Sequence, residues 1–251
     1  MTYIVLNTAD FMVLNKPSGM PMHDSSSAII PFAQAAFNYP KLWLVHRLDT
    51  GTSGCIILAK TKIAAAELSA QFANKKIQKY YLALIDRKPK KKQGLILGNM
   101  QKARNGDWKL STKTDNPAIT QFFSYALMPK TRQMEALSLP ASSNVPALQK
   151  TSQQQASKRL CVVKPTSGKT HQIRVALKSL GSPIIGDERY KGTSSDRLYL
   201  HSYAIQFDFQ GKAFNATCLP QSGEFFTNKD LEYWLEENQE PWSMKWPSCK
   251  I

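Results

Sequence analysis

No stretch of this 251-residue chain approaches the roughly 20 consecutive apolar residues that a membrane-spanning helix requires. The opening Met1-Thr2-Tyr3-Ile4-Val5-Leu6 has no basic leader ahead of an apolar core, so the expected place of action is the cytoplasm, with no membrane partner. Cysteine is scarce and scattered: Cys55, Cys161, Cys218 and Cys249 form no Cys-x-x-Cys pair, which argues against structural zinc and a disulfide framework. His23, His46, His171 and His201 lie far apart without ligand spacing, and the expected metal and cofactor content is none. There is no coiled-coil pattern, which leaves a monomer as the default.

Acidic residues are also few. Against 18 Asp and Glu stand 33 Lys and Arg, a formal charge of +15. Such a field concentrates polyanions near the surface and points to nucleic acid, with anionic lipid as the alternative.

The 42% hydrophobic content suffices for a core, in one large domain or two small ones. Tyr3–Leu6 and Phe11–Leu14 flank Asn7-Thr8-Ala9-Asp10, the pattern of a hairpin with a four-residue loop. A short helix is expected between Ile29 and Phe37. A second, capped by Thr61, runs through about Ala73, with Leu68 and Phe72 on one face. Residues 77–85 have strand composition, and strand-like runs recur at 94–98, 118–126, 159–164, 203–209 and 213–219. Lys88–Lys92 predicts a solvated loop. The polar stretch 129–157 predicts a flexible insertion, and 221–251 a final helix around Leu231, Trp234 and Leu235 with a tail that packs back through Trp242 and Trp246. The sum is a sheet-rich protein with a few helices.

Two stretches carry chemistry. In His46-Arg47-Leu48-Asp49-Thr50-Gly51-Thr52-Ser53-Gly54, one carboxylate opens a turn of small residues two positions after a guanidinium. A buried strand, Cys55–Ala59, follows. The turn cradles a single reacting carboxylate, or Asp49 merely starts the turn by bonding its own backbone. In Gly168-Lys169-Thr170-His171-Gln172-Ile173-Arg174, a Ser-Gly turn leads to a helix capped by Thr170 and stopped at Gly181. Ile173, Leu177 and Leu180 face the core. His171, Arg174 and Lys178 form either a solvated basic face or, with Lys169, a helix start that meets an anion.

With Asn15-Lys16-Pro17-Ser18-Gly19, Lys79-Tyr80-Tyr81-Leu82-Ala83, Gly186-Asp187 and Leu200-His201 in the expected order, these stretches resemble the RluA-type RNA pseudouridine synthases over about residues 3–220. The resemblance implies an α+β fold: a mixed, mostly antiparallel sheet with flanking helices around a central basic cleft. It implies one catalytic domain over 1–251 with no separate N-terminal RNA-binding domain. It also implies Asp49 as the catalytic carboxylate, Arg174 as its counter-ion and Tyr81 stacked on the uracil, where it helps remove the final proton. Arg47, Lys79, Lys169, His171 and Lys178 are the expected RNA contacts, and the substrate a structured ribosomal or transfer RNA. Arg47 would act in flipping the target base. Two departures stand out: Ala176 where the family often has His, and the length of the 130–157 stretch.

Two rival readings remain. Asp49-Thr50-Gly51 resembles the aspartic-protease loop, with Ile184-Ile185-Gly186-Asp187 as its companion, but that chemistry needs two carboxylates sharing a proton. The other is an inactive basic RNA-binding or ribosome-assembly module.

Overall fold

The computed structural model describes residues 3–23, 25–127 and 158–248. The expected insertion at 129–157 lies outside the described residues.

Runs with no polar interruption become central strands. β2 (Phe11–Lys16) and β4 (Ser53–Ala59) are buried along their whole length, which requires cover on both faces. Alternation supplies two cores. Met12, Leu14, Ile56 and Leu58 join one cluster, while Phe11, Val13, Cys55 and Ile57 join the other.

With β1 (Ile4–Asn7), β3 (Trp43–Leu44), β5 (Gln78–Ile85), β6 (Gln93–Lys102), β7 (Trp108–Ser111), β8 (Ala118–Ala126), β9 (Arg159–Pro165), β10 (Leu200–Phe209) and β11 (Lys212–Thr217), they form an 11-stranded sheet. Its order is β1-β2-β4-β10-β5-β9-β8-β6-β7, with β11 on β10 and β3 on β4. Among the described strands, β4 and β10 alone run parallel, matching His201 to Ser53 and Ser202 to Gly54. The next strand sets Tyr81 opposite Ser202. Gly54 makes this approach possible: at φ +107°, a Cβ there would sit 2.1 Å from the Ser202 carbonyl oxygen.

α1 (Ile29–Phe37), α3 (Gln172–Ser179) and α4 (Lys229–Glu237) send residues into the first cluster, and α2 (Lys62–Ala73) covers the second. Thr61 caps α2 as expected, its Oγ1 accepting from the Ala64 N–H at 3.1 Å. Gly181, at φ +73°, ends α3 as expected. The tail packs back through Trp242 and Trp246, whose ring centroids lie 6.4 and 5.8 Å from that of Tyr80. No helix among the described residues is long and apolar enough to cross a membrane.

Local expectations needed correcting at four places. The first hairpin loop has three residues, because β1 extends through Asn7. Thr170 does not cap α3: His171 holds that position in the left-handed region at φ 55°, with no side-chain cap bond. Gln172 takes over the anchoring, accepting from Ser167 Oγ (2.7 Å) and the Lys169 N–H (3.2 Å), and donating to the Ile119 carbonyl and Thr120 Oγ1, both at 3.0 Å. β3 and β7 escaped the sequence reading because each is too short for its alternation to show.

Candidate active site

The Asp49 turn is held from three sides. Lys16, fully buried, donates to the carbonyls of Pro17 (3.0 Å), Met20 (2.8 Å) and Thr50 (3.2 Å), while Ser18 Oγ donates to Gly51 O at 2.7 Å. Burial, then the charge of Arg197, pulls the Lys16 pKa down to about 8, although Asp49 favours its charged form. The Asn15–Gly19 segment is thus a clamp on the turn.

His46, which stacks on Phe72 at 4.2 Å, accepts from the Ile57 N–H through Nε2 at 2.9 Å. Burial, and secondarily Lys79, pushes its pKa down to about 3. Behind the turn, Arg197 Nη2 donates to Ser53 Oγ (2.6 Å), Ser53 lies 2.8 Å from His201 Nδ1, and His201 Nε2 meets the Cys218 carbonyl at 2.8 Å. The carbonyl can only accept, so Nε2 carries the imidazole proton and Ser53 donates to Nδ1. This chain fixes the start of β4 against β10.

Arg174, from α3, joins two carboxylates. Its Nε and Nη2 donate to Asp187 Oδ2 and Oδ1, each at 2.8 Å, and its Nη1 donates to Asp49 Oδ2 at 3.2 Å. Burial opposes the guanidinium charge, but the hydrogen bonds and charge of Asp187, then those of Asp49, outweigh it and raise the pKa. Sequence reasoning quoted Asp187 but did not foresee its contact with Arg174; its side chain is 1% exposed, against 22% for Asp49. Gly186 places it, at φ +77° with a Cβ position 1.7 Å from the Arg197 carbonyl oxygen, a point no other residue can occupy unshifted.

Arg47, Asp49, Tyr81, Lys169, His171 and Arg174 line one cavity of about 90 Å³. Five of these six carry basic or phenolic groups around the single carboxylate. Arg47 is exposed, with no side-chain partner among the described residues. Lys169 is tied to Asn116, with Nζ 3.1 Å from Oδ1. Burial drives the Tyr81 phenol up, so it keeps its proton at neutral pH, although a bond with Ser202 works the other way.

Lys79 and Lys178 do not line this cavity. Lys79 is buried behind it, 3.4 Å from the Ser167 carbonyl, its pKa lowered by burial to about 8; exposed Lys178 lies 5.7 Å over the Tyr190 ring. A larger groove of about 790 Å³, bordered by Leu219, Phe226, Leu235 and Trp242, shares no residue with the Asp49 cavity. It lacks a carboxylate–guanidinium pair.

The protease reading fails on this geometry. Asp187 does approach Asp49, but a guanidinium stands between them where two acids would have to share one proton. What the geometry shows is one partly exposed carboxylate, Asp49, among the basic and phenolic side chains that line the cavity.

The model of the RNA pseudouridylate synthase family matches residues 10–179. An uncharacterized RNA pseudouridine synthase of Haemophilus influenzae is 44% identical over 227 residues, 89% of each chain. The dual-specificity RNA pseudouridine synthase RluA of Escherichia coli is 30% identical over 200 residues, 76% of this chain and 80% of its own. The ribosomal large subunit pseudouridine synthase C of Vibrio vulnificus is 30% identical over 217 residues, 81% of this chain and 60% of its own. In fold, the chain is similar to human RNA pseudouridylate synthase domain containing 1, with a TM-score of 0.65 at 21% identity over 88% of this chain and 84% of that one. The chain belongs to the RNA pseudouridylate synthase family, in its RluA-type branch. It is an RNA pseudouridine synthase, an isomerase with the α+β fold expected of that family.

Proposed function

We propose that Asp49 is the carboxylate that opens the glycosidic bond of a uridine held in the Arg47–Arg174 cleft, within a structured RNA of the ribosomal or transfer class. The observation that carries this is the Arg174 fork, which braces one oxygen of Asp49 and leaves Oδ1 without a partner among the described residues.

The reaction breaks the bond from ribose carbon 1 to the base nitrogen and rejoins the sugar to carbon 5 of the same base. Nothing is consumed, so no cofactor is required. The detached uracil must stay in place between the two steps, and the small cavity that Tyr81 lines serves that need. Tyr81 packs on the base as a neutral phenol, its pKa driven up by burial. Arg47, free at the rim, takes the space or the phosphate of the flipped nucleotide. Lys169 completes the RNA-facing wall, and His171 lines the cavity beside Asp49. Lys79 supports the wall from behind, and Lys178 meets RNA only beyond the cleft. The reading carries the cytoplasm with it as the place of action.

The test is chemical mapping of pseudouridine in RNA from cells lacking this gene, after incubation with the pure protein. Wild type forms pseudouridine at discrete sites, and Asp49→Asn binds the same RNA and forms none. Near-normal turnover by that variant removes Asp49 from its role.

A further inference from the structure

His171 combines three features that an ordinary cleft residue lacks. It is a non-glycine residue in the left-handed region, at φ 55°, a conformation that a side chain disfavours. Its Nδ1 lies 2.8 Å from the hydroxyl of Tyr190, a residue with no solvent exposure. Its Nε2 lies 3.9 Å from Asp49 Oδ2, the oxygen Arg174 already holds, which is too long for a hydrogen bond and short enough to become one.

The proton positions follow from the partners. Tyr190's oxygen accepts the Trp108 N–H at 3.2 Å. Its own buried proton has one acceptor among the described residues, His171 Nδ1. Donation there leaves the ring proton on Nε2, the nitrogen that faces Asp49.

We propose that His171 is a positioning residue for catalysis: Tyr190 locks its tautomer, and its Nε2–H closes on Asp49 Oδ2 when RNA binds, which leaves Oδ1 as the reacting oxygen. This rests on the reading of Asp49 above. Long contacts of this kind in a free enzyme commonly tighten in the reactive complex. With Arg174 on one side and the imidazole on the other, the carboxylate loses its freedom to rotate. Burial and the charge of Arg174 lower the His171 pKa, with Arg189 adding to them and Asp49 and Asp187 opposing. Tyr190 donates to the unprotonated ring and so favours it further.

His171→Gly tests the idea, because glycine adopts φ 55° freely and leaves a ring-sized space. Single-turnover rates should fall about 10- to 100-fold, with the RNA dissociation constant within about twofold of wild type. Added imidazole should restore the rate saturably. In Tyr190→Phe the tautomer is no longer locked and the ring proton is shared with Nδ1, so the single-turnover rate should fall with RNA affinity unchanged. An unchanged rate in His171→Gly overturns the proposal, and so does a loss confined to affinity. A slow variant that melts early and ignores imidazole assigns the residue a structural role instead. Asp49→Asn runs beside it: if that variant is inactive while His171→Gly is normal, this inference alone fails, whereas an active Asp49→Asn removes the reading beneath it.

Discussion

Asp187→Asn is the sharpest single perturbation of this site, since it changes one atom in a carboxylate that touches no nucleotide in the proposed reaction. The native side chain accepts two charge-assisted bonds of 2.8 Å from Arg174 and is 1% exposed, while the arginine is 12% exposed. The amide keeps one acceptor and turns an N–H2 group towards the other guanidinium nitrogen. One charged bond is worth about 1.5–3 kcal/mol, and breaking a buried pair by removing one partner costs about 3–5 kcal/mol. Because Asn retains half of the fork, a stability loss of about 2–4 kcal/mol is expected, read from urea unfolding. The effect on turnover comes through geometry: Arg174 keeps its 3.2 Å contact with Asp49 but loses what holds its plane. A displacement of about 1 Å at a reacting group can cost on the order of 100-fold, so single-turnover pseudouridine formation should fall about 30- to 100-fold with RNA affinity little changed. A variant that is destabilised as expected and still turns over within about threefold of wild type would refute the reasoning, since Arg174 would then be placed by something other than Asp187.

Arg174→Ala should cripple turnover and cost about 3–5 kcal/mol by leaving Asp187 buried without its guanidinium; a uniform drop in RNA affinity with an intact rate would make it a phosphate contact instead. Arg47→Ala should weaken RNA binding and reduce the slope of log K against log salt by about one, with a smaller effect on the rate at saturating RNA. Gly54→Ala should fail to give soluble protein or unfold at far lower urea, because its methyl falls 2.1 Å from the Ser202 carbonyl oxygen; a wild-type midpoint would contradict the β4–β10 approach. His46 and His201 have folded values near 3 against an ordinary 6.5, so the unfolded chain takes up protons that the folded one refuses as pH falls through that window. The histidine contribution should be constant above about pH 6.5 and fall below it, by about 2 kcal/mol per histidine at pH 5, and His201→Gln should show a shallower decline over that range in urea titrations.

What the sequence made legible were features that repeat or cluster. β2, β4 and β5 contain long apolar runs, α2 has a capping threonine, and the net charge pointed to a polyanionic partner. The Asp49, Tyr81 and Arg174 grouping came from resemblance and not from spacing, since 125 positions separate the carboxylate from the guanidinium that meets it. Gly186-Asp187 was part of the resemblance, but the pairing of Asp187 with Arg174 stayed hidden, because Ser182–Tyr190 is a turn-rich link without period and nothing local marks an acid as the partner of an arginine 13 positions earlier. The left-handed His171 was equally invisible: Thr170 has the composition of a cap, and only the competing bonds of Gln172 to β8 pull the helix start past it. Lys79 and Lys178 were expected RNA contacts, but Lys79 is buried and Lys178, though exposed on α3, lies outside the cavity.

On the proposed reading, the two arginines beside Asp49 divide binding from chemistry. Both carry the same charge, yet Arg174 has all three of its donor nitrogens committed, to Asp187 and Asp49, while Arg47 is exposed with no side-chain partner among the described residues. A committed guanidinium contributes a fixed field at one carboxylate oxygen and gains little from RNA. A free one is solvated until a phosphate or a vacated base stack replaces the water, so its interaction energy appears on binding. The clamp of Lys16 and the Arg197–Ser53–His201 chain serve the first of these jobs, because a fixed field is useful only if the carboxylate it acts on cannot move. Loss of affinity should therefore follow from changes at the rim, and loss of rate from changes in the buried scaffold, even where the scaffold residue never meets the nucleotide.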